Sequence, residues 1–236
     1  MTDSRYYATE NRAEKVRMLF TRIAARYGLM NDLMSFGLHR RWKKRVAIAA
    51  LGDRGTGAFL DVCCGTGDIA LALAARGARV VGLDFTPAML AIAQQRCRAD
   101  EPTLIRGDAL RLPFADESFD GVTIGFGLRN LENFEAGLRE LLRVTKPGGR
   151  VVILDFGLPD NRLWRAIYWT FLRLAVPLLG LVVVGDHQAY SYIPASLERY
   201  PAQHGIAELM KQIGFVNVRI QNFLGGVSSI HVGERG

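Results

Sequence analysis

Phe59-Leu60-Asp61-Val62-Cys63-Cys64-Gly65-Thr66-Gly67-Asp68-Ile69 is the stretch whose reading decides the fold. Phe59, Leu60 and Val62 form an apolar run too short for a helix, and Gly65 and Gly67 end it abruptly. Asp68 then opens an Ala- and Leu-rich segment to Arg76, whose first-turn carboxylate suits a helix dipole. A strand that feeds a helix through glycines lets a nucleotide-like ligand approach bare backbone.

Outward from this turn, strands and helices alternate. Residues 79–84 read as a second strand ending in a carboxylate. A helix follows to about residue 98, with Thr86 as N-cap and Pro87 at its first position. Residues 103–106 are a short third strand, 119–127 a fourth and 150–156 a fifth, buried one. The helix through Leu138, Leu141, Leu142 and Val144 is expected to stop at the breaker Lys146-Pro147-Gly148-Gly149. A helix at 206–213 and strands at 216–223 and 228–234 close the chain. This order predicts an α/β fold with a Rossmann-like, seven-stranded, mostly parallel doubly wound sheet. Before it, residues 1–15 read as a loosely held arm, 15–27 as a helix, 26–42 as dense without a clean period, and 40–50 as a basic helix. The expected organisation is an N-terminal helical arm and cap (1–52) and a core (53–236) with a substrate-side insertion (160–204), in one folded unit.

A glycine turn also serves dehydrogenases, so the placement of the acids decides the ligand. Asp84 lies at the tip of the second strand, where a carboxylate faces a ribose, and Asp108 at the tip of the third, where an adenine edge would lie. Cys63 stands where a dinucleotide fingerprint has its first glycine, and Ala70 where it has its third. A ligand with ribose and adenine but no pyrophosphate fits better, and S-adenosylmethionine is that ligand. Asp61, Gly65, Thr66, Gly67, Asp84, Phe85, Asp108, Ala109 and Gly125 are the expected cofactor-binding residues. The bland alternative is that Asp84 and Asp108 merely cap the helices that follow them.

Composition adds bounds. A chain of 236 residues, 49% hydrophobic and 22% charged, makes one ordinary α/β domain. Its net charge of +7 favours an acidic partner or an anionic surface, against the alternative of a solvated basic surface. Three cysteines, two of them adjacent, give no disulfide framework and no metal spacing, so small core thiols are expected and no metal. The polar N-terminus predicts no signal peptide and a cytoplasmic protein.

The blocks 61–68, Gly82-Leu83-Asp84, Gly107-Asp108-Ala109 and Lys146-Pro147-Gly148-Gly149 resemble the Class I S-adenosylmethionine-dependent methyltransferases. Tyr27-x-x-Met30-Asn31-Asp32-x-x-Ser35-x-Gly37-x-His39-Arg40-x-Trp42 is similar to the N-terminal signature of the quinone C-methyltransferases of menaquinone and ubiquinone biosynthesis. Gly125-Phe126-Gly127-Leu128-Arg129-Asn130, Arg143-Val144-x-Lys146-Pro147-Gly148-Gly149 and Tyr190-x-Tyr192-Ile193-x-x-Ser196 are three further blocks of that family, in order. The chain departs from the pattern at Gly28, where the family usually carries Asp, at Thr145, usually a large aliphatic, and at Gly125, commonly Ser. The resemblance implies C-methylation of a polyprenyl quinol, and the Cys63-Cys64 variant of the loop resembles the naphthoquinol (demethylmenaquinone) branch. A ubiquinone-type benzoquinol precursor and a small-molecule acceptor are the alternatives, and a homo-oligomer is left open. A nucleic-acid methyltransferase is disfavoured: there is no Asn/Asp-Pro-Pro-Tyr block or Pro-Cys nucleophile, and the basic residues scatter. A non-catalytic scaffold is expected to lose the cofactor acids, yet Asp84 and Asp108 are both present.

Methylation of a ring carbon needs the acceptor held in line with the sulfonium and a hydroxyl that loses its proton, raising electron density on the ortho carbon. Arg129 is the first catalytic candidate, able to stabilise a phenolate but not to act as an ordinary base. Asn130 and Tyr27 follow, and His39 ranks last, as a residue expected to be packed or solvated rather than catalytic. In the insertion, Trp164, Tyr168, Phe171 and Ala175 share a helical face, while Pro177 and Gly180 are expected to break the uncharged stretch 174–185. It reads as too short and too charged to span a bilayer, and as a wall for a prenyl tail or a patch resting on a membrane, with a core-packed helix as the alternative.

Overall fold

The computed structural model describes residues 11–52, 55–98 and 102–236; residues 1–10 of the expected arm at 1–15 and the loop tip at 53–54 lie outside them, and residues 12–15 are already helical rather than loosely held. The strands are β1 (Ala58–Val62), β2 (Arg79–Asp84), β3 (Thr103–Arg106), β4 (Phe119–Gly125), β5 (Thr145–Phe156), β6 (Phe215–Phe223) and β7 (Ser228–Arg235). They form one sheet in the order β3-β2-β1-β4-β5-β7-β6. The first five are parallel, and β7 runs antiparallel to both β5 and β6. The chain reverses direction across the sheet between β1 and β4, the place where open α/β sheets bind ligands at the strands' carboxyl ends.

Strand periodicity sorts the core into two layers. Leu60, Val151 and Ile153 join the layer that holds Leu138 and Met210, whereas Phe59, Val152 and Leu154 face the one that holds Val46, Ala47 and Leu73. The helices supplying these layers include α3 (Leu38–Leu51), α4 (Asp68–Ala74), α6 (Phe134–Val144) and α10 (Ala202–Ile213). α3 therefore packs directly on the sheet. α1 (Arg12–Ile23) and α2 (Tyr27–Ser35) reach over the carboxyl edge, α1 against α5 (Pro87–Arg96). The stretch without a clean period resolves into α2 and α3, separated by Phe36 and Gly37, both in the left-handed region.

Two local expectations need correction. Helix α6 ends at Val144, but Lys146-Pro147-Gly148-Gly149 lies within β5, as a bulge between the pairings Phe119–Thr145 and Gly121–Arg150. A Cβ at Gly149 would sit 2.8 Å from the Lys146 carbonyl oxygen, so this crowded bend requires glycine. The insertion is not broken either. α7 (Arg162–Thr170), a π-helical turn (Phe171–Ala175) and α8 (Val176–Val184) form one 23-residue helix, Arg162–Val184, whose most apolar 18-residue window has a mean hydropathy of 2.0. Pro177 falls in the first turn of α8, and Gly180 lets α9 (Gln188–Leu197) approach, since a Cβ there would meet the Tyr190 ring at 3.0 Å. By length and composition the helix could cross a membrane, contrary to the expectation that it is too short and too charged. Its inner face, with Tyr168, Leu172 and Val176, packs into the protein core.

Candidate active site

The glycine turn begins with Cys63 at φ +53 and continues through Gly65 at +55 and Gly67 at +82. Left-handed backbone bends the chain sharply enough to start α4. Cys63 therefore lies past the strand, and burial raises both cysteine thiols well above their ordinary range, which keeps them protonated and inert. Asp84, 8% exposed, accepts 2.8 Å hydrogen bonds from the backbone N–H groups of Gly65 and Thr86. That bond, rather than a Thr86 side-chain cap, organises the start of α5. Burial raises the Asp84 carboxyl above its usual range, opposed by the Thr86 and Gly65 amides.

A cavity of about 130 Å³ opens above this turn, lined by Gly65, Asp84, Phe85, Asp108, Ala109 and Gly125. Met89, Gly107 and the α1 residues Val16 and Phe20 complete it. Asn130 lines it too, and its buried Oδ1 has no hydrogen-bond partner. A small adjoining recess is lined by Asp61, Thr66, Lys43 and Asp68. Lys43 Nζ lies 2.7 Å from Asp68, and Lys43 and Arg96 hold that carboxyl down to about 2 although burial alone would raise it. Asp61 faces this recess rather than the main cavity. Its oxygens accept from Thr123 Oγ1 at 2.7 Å and the Ala70 N–H at 3.0 Å, and burial pushes its carboxyl up to about 7. Gly67 shapes the turn without lining either space.

A second cavity, of about 240 Å³, lies beyond. Tyr27 and Phe126 line both spaces and form the wall between them. Phe126 sits at φ +57, and its carbonyl accepts from Arg129 at 2.8 Å and Asn130 at 3.2 Å. Arg129, 3% exposed, is fixed by Asp155 at 2.7 Å, with its guanidinium 4.7 Å from the Phe156 ring centre. Burial would lower its pKa, but Asp155 outweighs that and raises it, so Arg129 stays cationic. The remaining lining is mostly apolar or aromatic, including Phe36, Trp164, Tyr168, Phe171 and Tyr190, with Asn31, Ser35 and His39 as its polar members.

The profile of the ubiE/COQ5 methyltransferase family matches residues 8–235. The chain belongs to that family. A demethylmenaquinone methyltransferase of Thermus thermophilus is 43% identical over 221 residues, covering 92% of this chain and 100% of the relative. The enzyme of the same name from Desulfitobacterium hafniense is 39% identical, covering 97% and 93%. Among solved structures, an S-adenosylmethionine-dependent methyltransferase of Thermotoga maritima superposes with a TM-score of 0.66 at 18% identity, covering 93% and 99%. Magnesium protoporphyrin IX methyltransferase of Synechocystis, with bound SAH, gives 0.55 at 19%, covering 84% of each chain; both likenesses concern the fold.

This ubiE/COQ5-family protein is a methyltransferase with S-adenosylmethionine as its methyl donor, and the residues present fit that donor. Asp84 keeps lone pairs for ribose hydroxyls, Phe85 and Met89 offer apolar faces to adenine, and the unpartnered Asn130 Oδ1 is a free acceptor. The recess offers both charge signs for a methionyl zwitterion, and the Tyr27 and Phe126 rings suit a sulfonium. Gly125 is tight: a Cβ there would lie 2.5 Å from Ile69 Cδ1, so the serine common in the family would need Ile69 to move. Sequence reading missed Lys43, Phe126 and Asp155. Phe126 carried a signal, an aromatic between two glycines; Asp155, at the tip of the fifth strand, carried the same cue as Asp84.

Proposed function

We propose that this methyltransferase acts on the ring of demethylmenaquinol, a polyprenylated naphthoquinol, giving menaquinol. The observation that carries the reading is an apolar cavity divided from the cofactor cavity only by Tyr27 and Phe126, with the Arg129 guanidinium in its lining. The bound donor supplies an electrophilic methyl group. Arg129 stabilises the phenolate, and the largely apolar lining limits water around the reacting ring. The names of the similar proteins support the naphthoquinol over the benzoquinol.

Leu163, Ile167, Phe36 and Leu224 are exposed beside this cavity, and Leu174, Leu178 and Val182 continue the apolar face along the insertion helix. A lipid-soluble substrate and a net charge of +7 suit a peripheral position on the anionic inner face of the cell membrane. Product analysis on demethylmenaquinol, a demethylated benzoquinol and a small phenol tests the reading. Preferred turnover of the naphthoquinol is expected; equal turnover of the small phenol overturns it.

A further inference from the structure

We propose that His39 is the catalytic base of this site, its Nδ1 taking the proton of the quinol hydroxyl adjacent to the methylated carbon. The proposal rests on the quinol reading above. His39 lines the substrate cavity, is 5% exposed, and its Nε2 lies 2.9 Å from Asp32 Oδ1. Arg40 clasps the same carboxylate through Nε at 2.7 Å and a second nitrogen at 2.6 Å. An ionised carboxylate only accepts, so the imidazole proton sits on Nε2 and Nδ1 keeps its lone pair. Nδ1 is buried and has no hydrogen-bond partner.

Among the described groups lining this cavity, His39 is the one imidazole. No carboxylate lines it, Arg129 stays cationic, and burial raises the Tyr190 and Tyr192 hydroxyls above the ordinary phenol range. The charges facing His39 are Asp32 and Arg40, Lys43 further along α3, and Asp68 of α4. Burial and Lys43 lower the imidazole pKa, opposed by both carboxylates, and this keeps it neutral and able to accept at neutral pH.

In the step, the phenolic O–H bond breaks as the Nδ1–H bond forms. The ring carbon then bonds to the methyl carbon as the C–S bond breaks, its electron pair remaining on sulfur. The ring proton leaves that carbon to water, and imidazolium returns its proton to the phenolate oxygen, so one proton is released per methyl transferred.

The test compares wild type, His39→Gln and Asp32→Asn with a short-tailed demethylmenaquinol. Wild-type turnover checks the quinol reading by itself. His39→Gln is expected to lose at least about 100-fold in kcat, to keep its thermal stabilisation by S-adenosylmethionine, and to lose the acidic limb of the pH profile. In wild type without donor, ¹⁵N NMR should show the Nδ1 resonance moving when quinol is added. An active wild type whose His39→Gln variant stays within threefold, or an unmoved Nδ1 resonance, overturns the proposal. Should His39→Gln fail to fold, Asp32→Asn decides: a kcat loss above tenfold with KM little changed supports the dyad, and unchanged kcat overturns it.

Discussion

Arg129 and Asp155 pair at 2.7 Å with side chains 3% and 0% exposed, tying the first residues after β4 to the tip of β5 beside the wall between the two cavities. A charge so deeply buried is held by its partner, and removing one member leaves the other uncompensated. Arg129→Ala is therefore expected to abolish turnover and also cost about 3–5 kcal/mol of stability. The double variant Arg129→Met/Asp155→Leu should recover much of that stability in urea unfolding while remaining inactive. Recovered activity in the double variant would remove the guanidinium from the chemistry.

Asp84 should govern donor affinity. In Asp84→Asn one oxygen becomes an NH₂ group, which cannot accept from both Gly65 and Thr86 and offers a ribose one acceptor fewer. The expected outcome is at least tenfold weaker S-adenosylmethionine binding by calorimetry, about 1.4 kcal/mol, and a smaller ligand-induced rise in Tm. Wild-type affinity in this variant would contradict the assigned role.

Asp61 makes stability depend on pH. Its carboxyl is raised from 3.8 to about 7 in the folded chain, so its favourable contribution is complete below about pH 4. As pH rises towards 7, the unfolded chain ionises while the folded one resists, and stability is lost. Asp61→Asn removes this slope. Urea unfolding at pH 4.5, 6 and 7.5 should show wild type falling relative to the variant; parallel curves would refute the assignment.

The membrane reading separates two faces of one helix. Leu178 is 59% exposed, whereas Phe171 lines the substrate cavity. Leu178→Glu should reduce flotation with anionic liposomes at low salt and spare turnover of a short-tailed quinol. Phe171→Glu should instead impair turnover of that same quinol. Undiminished flotation of Leu178→Glu would argue against membrane docking through this face.

Short apolar strands with glycine or acid punctuation could be read directly: β2 and β3 fall on the expected residues, and β1 and β7 within one. Asp84 was legible because a strand tip is a fixed address in this fold. What escaped is tertiary. Pro177 looks like a breaker until the π turn before it shows the helix running on through it. Gly180 looks like flexibility until Tyr190 packs on it. Arg129 stood out in sequence, but its partner Asp155 lies on another strand, and Asp32, His39 and Arg40 became a connected set only once Phe36 and Gly37 turned α3 back beside α2.

Phe126 has a consequence for the division of the site. A bulky residue held at φ +57 costs on the order of 1 kcal/mol, which glycine would relieve. Phe126→Gly should relax that backbone while opening a hole between the two chambers, through which solvent reaches the sulfonium. The variant also loses the packing of this ring on Phe156, so it is expected to be less stable in urea unfolding and to lose kcat as the two chambers merge. Backbone strain at Phe126 thus sits where it sets the partition between the two chambers.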